Sequence, residues 1–160
     1  MASSEKNLSD VRLNESLDIS KHKFGIVVAE WNEQVTESLY SGAYQTLISA
    51  GATRHNIDRM NVPGTFELSL GGQWMAERKD MDAVICLGCV IQGETRHFDF
   101  ICDAVANGIT NVNLKYNKPV IFGVLTTDNI KQALDRAGGK HGNKGDEAAA
   151  TAIKMLQGKN

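Results

Sequence analysis

The order of apolar and polar positions cuts the chain into short alternating pieces. Three apolar runs stand out: FGIVVAE at 24–30, DAVICLGCVI at 82–91 and PVIFGVLT at 119–126. They are rich in β-branched and aromatic residues and show no polar face, as strands covered on both sides in a parallel sheet do. A weaker fourth run, IDRMNV at 57–62, stops at Pro63-Gly64, a pair that ends a strand. Between the runs the apolar spacing lengthens to three and four. Over 33–50 it puts Val35, Leu39, Ala43, Leu47 and Ala50 on one helical face. Further helices are predicted over 66–78, 96–116 and 130–137, with a last one over 146–156 whose Asp146 and Glu147 suit the positive end of a helix dipole.

Strand then helix, four times over, predicts a layered α/β sandwich. In such a sheet ligands bind beyond the carboxyl ends of the strands. A site is therefore expected in the loops EWNEQ, VPGTFE, VIQGETRH and LTTDN. Residues 1–22 lack the pattern. Their apolar positions, Leu8, Val11, Leu13, Leu17 and Ile19, are too sparse for a core. The segment is expected to be an N-terminal arm ahead of one domain over 23–160, its apolar residues needing another surface such as a neighbouring subunit.

Composition narrows the class. A chain of 160 residues with 42% hydrophobic and 22% charged residues buries about 68–70% of its unfolded surface and needs neither metal nor disulfide to hold a core. A formal charge of −2, with no clustered basic face, argues against nucleic acid as a partner. Neither a signal peptide nor a membrane span is evident, and three cysteines outside any spaced framework suit a reducing compartment, so a soluble cytoplasmic protein is expected.

The stretch CLGCVIQGETRH, extended to Cys102, has the spacing C-x2-C-x7-H-x4-C of a small zinc module. Strand geometry opposes that reading: Cys86 and Cys89 are three apart in an extended run and point to opposite faces. A redox pair would need an exposed helix start for its first thiol. Both are expected to be core residues, and Cys102, inside the following helix, likewise. No metal and no cofactor is expected.

The second half of the stretch carries more chemistry. Gly93-Glu94-Thr95 joins a strand to a helix, where backbone N–H groups converge on an anion such as phosphate; a plain connection with Thr95 as helix cap is the alternative. His97 follows in the first helical turn. The dipole disfavours its cation there, leaving neutral imidazole to act as a base. His22, His55 and His141 have no comparable position at the mouth of the sheet. Trp31, beside Asn32, either stacks on a flat ring or packs in the core. Glu67 either caps a helix or binds hydroxyls, and Arg136 is a lone cation where helix gives way to glycines. Walker and dinucleotide glycine patterns are absent.

Taken together, AEWN, VPGTFEL, GCVIQGETRHFDF, FGVLTTDN and DRAGGKHGNKGDEAA resemble, in order and spacing, the lumazine synthases of riboflavin biosynthesis, over 23–156. The resemblance implies an α/β fold: a three-layer α/β/α sandwich around a mainly parallel four-stranded sheet of flavodoxin-like topology. It implies a cofactor-independent transferase condensing 5-amino-6-(D-ribitylamino)uracil with 3,4-dihydroxy-2-butanone 4-phosphate to give 6,7-dimethyl-8-ribityllumazine. By position, Trp31 and Asn32 match the residues at the pyrimidinedione, Thr65, Phe66 and Glu67 the segment holding the ribityl chain, and Cys89, Val90 and Ile91 the strand end lining the ring. Glu94 and Thr95 match the phosphate turn, and His97 the proton-transfer residue.

In the family Phe122 and Arg136 reach in from an adjacent subunit, the arginine to phosphate. The resemblance further implies homopentamers, with the uninterrupted RAGGKHGNKG link typical of members that build an icosahedral shell of twelve pentamers. Riboflavin synthase is the one heterologous partner it suggests. Two readings of other classes stay open from the residues alone. One is a flavin-binding module without turnover; the other is a zinc or thiol-redox domain, which replacing both Cys86 and Cys89 by alanine would disable.

Overall fold

The computed structural model describes residues 18–159. Four parallel strands form one sheet: β1 (Phe24–Ala29), β2 (Ile57–Val62), β3 (Ala83–Ile91) and β4 (Val120–Thr127). They lie in the order β2-β1-β3-β4, so β1 and β3 are central. Helices connect them: α1 (Glu33–Ser49), α2 (Leu68–Glu77) and α3 (His97–Tyr116), followed after β4 by α4 (Ile130–Leu134) and α5 (Lys144–Lys159). A small antiparallel hairpin, β5 (Ala137–Gly139) with β6 (Gly142–Asn143), precedes α5.

Alternation along the central strands explains the layers. Phe24, Ile26 and Val28 of β1, with Ile85, Leu87 and Cys89 of β3, share one core with Leu39, Ala43 and Leu47 of α1 and Ala149, Ala152 and Ile153 of α5. Val27 and Ala29, with Val84 and Cys86, face the other way onto Leu68 and Met75 of α2 and Val105 and Ile109 of α3. The result is the expected three-layer α/β/α sandwich, with α1 and α5 on one side and α2 and α3 on the other. Its strand order follows the flavodoxin-like scheme, in which the order reverses between β1 and β3. Among the described residues no helix is long and apolar enough to cross a membrane.

Several local expectations need correcting. The run at 119–126 is not covered on both faces: β4 has one strand neighbour, Phe122 is 40% exposed, and Thr126 is exposed. An edge strand can be as apolar as a central one while part of its surface stays uncovered. The second helix begins at Leu68 rather than at 66, because Thr65–Glu67 forms a 3-10 turn. The fourth helix ends at Leu134, since residues 137–143 become the hairpin through left-handed Gly138 and Gly142. The last helix starts two residues earlier than expected, at Lys144, where the Asn143 carboxamide accepts from the Gly145 N–H at 2.8 Å.

Cys102 is half-buried, not core. In the arm, Leu8, Val11, Leu13 and Leu17 lie outside the described residues, whereas Ile19 is buried against this chain's own α1 and α5 core and needs no neighbour.

Candidate active site

At the carboxyl ends of β1 and β3, where the strand order reverses, a cavity of ≈ 630 Å³ opens. Such a volume suits a small-molecule ligand. Each wall comes from a different element. Trp31 and Asn32 follow β1; Gly64 and the 3-10 turn Thr65–Glu67 follow β2; Cys89, Val90 and Ile91 end β3; His97 and Ile101 stand one turn apart on α3.

Trp31 is 74% exposed and Phe66 55% exposed. Core packing for Trp31 is therefore excluded, and two flat apolar side chains face a concave site where a ring can stack. The main chain at Trp31 is held to the next loop, its N–H donating to the Pro63 carbonyl at 3.1 Å. Glu67 precedes α2 without making a capping hydrogen bond. Its carboxylate lies exposed at the cavity, which removes the capping alternative.

His97 is the first residue of α3 and is exposed at the rim of the cavity. Its backbone N–H donates to Thr95 Oγ1 at 3.4 Å, but the N-cap position belongs to Arg96, which makes no side-chain cap bond, so Thr95 braces the turn without capping the helix. That contact does not exhaust the turn. Gln92 Nε2 donates to the Gly93 carbonyl at 2.9 Å and to the Thr95 carbonyl at 3.4 Å, tying down the turn's acceptors. The space a side chain at Gly93 would occupy is open, and Glu94 and Thr95 are exposed. An open turn at the head of a 20-residue helix offers dipole and backbone donors to an anion.

The thiols contribute little. Cys86 is fully buried on the α2–α3 side, and burial pushes its thiol up to about 12. Cys89 lies on the opposite side, pushed up to about 11 by the same cause. Two thiols on opposite faces of a sheet cannot chelate one ion, and a raised pKa is the reverse of what thiolate chemistry requires. Among the described residues no three His, Cys, Asp or Glu side chains cluster as metal ligands would.

The fold thus brings together nine residues anticipated from sequence: Trp31, Asn32, Thr65, Phe66, Glu67, Cys89, Val90, Ile91 and His97. It adds Gly64 and Ile101. Ile101 could have been found from helical periodicity, being four residues beyond His97. Glu94 and Thr95 flank the cavity without lining it. Phe122, on edge strand β4, and Arg136, whose guanidinium donates to the Gln132 carbonyl at 3.0 Å, are not among its lining residues.

Sequence comparison supplies the name for this arrangement. The family model of 6,7-dimethyl-8-ribityllumazine synthase matches residues 21–160. A protein of Cytophaga hutchinsonii called 6,7-dimethyl-8-ribityllumazine synthase is 70% identical over 156 residues, covering 98% of each chain. Proteins of the same name from Parabacteroides distasonis, 54% identical over 98% of each chain, and Porphyromonas gingivalis, 53% identical over 97% of this chain and 96% of its own, extend the similarity. Every wall of the cavity falls within the matched span, and the chain belongs to the 6,7-dimethyl-8-ribityllumazine synthase family.

Proposed function

We propose that the protein condenses 5-amino-6-(D-ribitylamino)uracil with 3,4-dihydroxy-2-butanone 4-phosphate, releasing phosphate and water and forming 6,7-dimethyl-8-ribityllumazine, the penultimate step of riboflavin biosynthesis. The observation that carries the site assignment is the cavity itself. It holds an aromatic wall, a strand end with backbone polar groups, a carboxylate and an imidazole within one concave surface.

In this reading the pyrimidinedione stacks on Trp31 and lies along Cys89, Val90 and Ile91, while Thr65, Phe66 and Glu67 receive the ribityl chain. The phosphate sits over Glu94-Thr95 at the head of α3, with the Glu94 side chain turned to solvent and backbone N–H groups as donors. The amine of the aminouracil adds to the ketone and one water leaves; phosphate is eliminated and the resulting enol becomes a carbonyl; the ribityl-bearing nitrogen then attacks that carbonyl and closes the second ring with loss of a second water. Each step moves a proton. His97, beside both substrates, gives and takes protons, an effect of about 10²–10⁴-fold. Holding two reactants in one cavity supplies much of the remaining acceleration.

Among the described residues no lysine or arginine lines the cavity, and the position of Phe122 and Arg136 away from it supports a shared site. A neighbouring subunit supplies Phe122 and Arg136, the latter stabilising phosphate as it departs. The assembly is a homopentamer, and the link before α5, which is a tight hairpin with no insertion, favours the sixty-subunit shell. Three free cysteines suit the reducing cytoplasm as the place of action, and riboflavin synthase is the proposed partner enzyme.

Binding is tested by fluorescence. The aminouracil alone should quench the indole emission of the protein, and Trp31→Leu should abolish that quench although Trp74 remains. Undiminished quenching in the variant would remove Trp31 from the site.

A further inference from the structure

One carbonyl at the floor of the cavity receives two side-chain donors from two different loops. Asn32 Nδ2 donates to the Cys89 oxygen at 2.9 Å, and Thr65 Oγ1 donates to the same atom at 3.4 Å. The reason lies in strand lengths. β3 pairs with β1 only as far as Leu87, opposite Val28, yet it continues to Ile91. The chain leaving β1 does not extend the ladder, since the Glu30 and Trp31 N–H groups turn instead to the Val62 and Pro63 carbonyls. The Asn32 carboxamide stands in for the missing strand donor. Asn32 does so from a left-handed backbone, φ 62° and ψ 46°, a region that asparagine tolerates better than most residues.

Thr65 reaches the carbonyl because Gly88 leaves room: a Cβ at that glycine would lie 2.7 Å from Thr65 Oγ1 and 2.8 Å from Leu68 Cδ1. We infer that Asn32, assisted by Thr65, is a positioning residue that fixes the β1-facing side of the end of β3, which β4 pairs on its other side, with its side-chain amide engaged by the protein and not by substrate. What it holds in place is the β1-facing side of the backbone at Cys89, Val90 and Ile91, the wall of the cavity past the last β1–β3 pair, while β4 pairs with the same residues on the other side. This inference rests on the proposed reading, in which that wall receives the pyrimidinedione.

Asn32→Gly keeps the left-handed backbone and deletes the amide. Asn32→Asp keeps the shape and sets a carboxylate against a carbonyl oxygen. In steady-state assays Asn32→Gly should raise KM for the aminouracil about tenfold and leave KM for the ketone phosphate within about twofold, with Asn32→Asp worse than Asn32→Gly. Thr65→Val, which keeps the volume of the side chain, should speed hydrogen exchange at 89–91 by less than Asn32→Gly does, and this readout without substrate, which loss of a ribityl contact would not move, carries the test if the position-32 variants fail to fold.

Hydrogen exchange without substrate separates the inference from the functional reading: amides of residues 89–91 should exchange faster in Asn32→Gly than in the parent protein. Unchanged exchange there, or an equal rise in both KM values, would overturn the positioning role. Absence of product from the parent protein would sink the functional reading alone and leave the exchange result to decide the inference.

Discussion

His97 and the three cysteines were candidates from one short stretch, and their surroundings divide them. His97 stands exposed at a helix start beside a cavity, where an imidazole can exchange protons with bound molecules. His97→Ala should therefore lower kcat by about 10²-fold or more while changing KM for either substrate little; stopped-flow or steady-state product formation reads this directly. The cysteines differ in access. Burial holds the Cys86 thiol at about 12 and Cys89 at about 11, so neither is ionised at pH 8. Cys102, half-buried and raised by burial and by Asp99 and Asp103, is the most accessible of the three. Native protein treated with a chromogenic disulfide should label Cys102 first, and Cys86 only on unfolding. The roles of the two central cysteines were legible in sequence because strand alternation alone sends them apart. Cys102 was not, since helical position says nothing of whether a neighbouring element covers it.

At the scale of elements, all four strands were legible, edge strands β2 and β4 included, whereas the partial exposure of β4 was not. β1 is buried along its whole length and β3 over its first seven residues, so their composition matched their surroundings. β4 has the same composition in a different setting, and the 137–143 hairpin depends on backbone angles that only its glycines reveal. The amino ends of the sheet, opposite the cavity, are held by alternating charge. Lys23 Nζ lies 3.3 Å from Asp58 and 3.0 Å from Asp80, and Arg78 lies 2.7 Å from Asp58 and 3.0 Å from Asp80.

Hydrogen bonds from Arg78 and then Lys23 hold the Asp80 carboxyl well below the usual carboxylate range. A depressed folded pKa means that this contribution is present above about pH 4, the unfolded value, and fades as pH falls through the folded one. Asp80→Asn should therefore lower the melting temperature near neutral pH, with the gap from the parent protein narrowing as the solution is acidified below about pH 4. A constant gap down to strongly acid pH would remove the network from the account. Added salt should also narrow it, since Asp80 is more than half exposed.

For the whole molecule, the proposed site is one shared between subunits. Among the described residues, those lining the cavity supply an aromatic wall, a carboxylate and an imidazole but no lysine or arginine. Phe122 on an edge strand and Arg136 beyond a short helix make sense if a second copy brings them across an interface. No pattern within one sequence reports on that, because intersubunit distances leave no periodicity along the chain; only the family resemblance suggested it. Light scattering should return the mass of a pentamer or of a multiple of it, and a stable monomer would contradict the shared site. Arg136→Ala should raise KM for the phosphate substrate and leave aminouracil binding unaltered, as loss of a phosphate contact would.

The most direct measurement of the central claim is to mix the protein with 5-amino-6-(D-ribitylamino)uracil and 3,4-dihydroxy-2-butanone 4-phosphate and follow lumazine fluorescence together with released phosphate. Product and phosphate should rise in equal amounts, only when both substrates are present and much faster than without protein. No acceleration over the protein-free mixture, or phosphate release without lumazine, would contradict it.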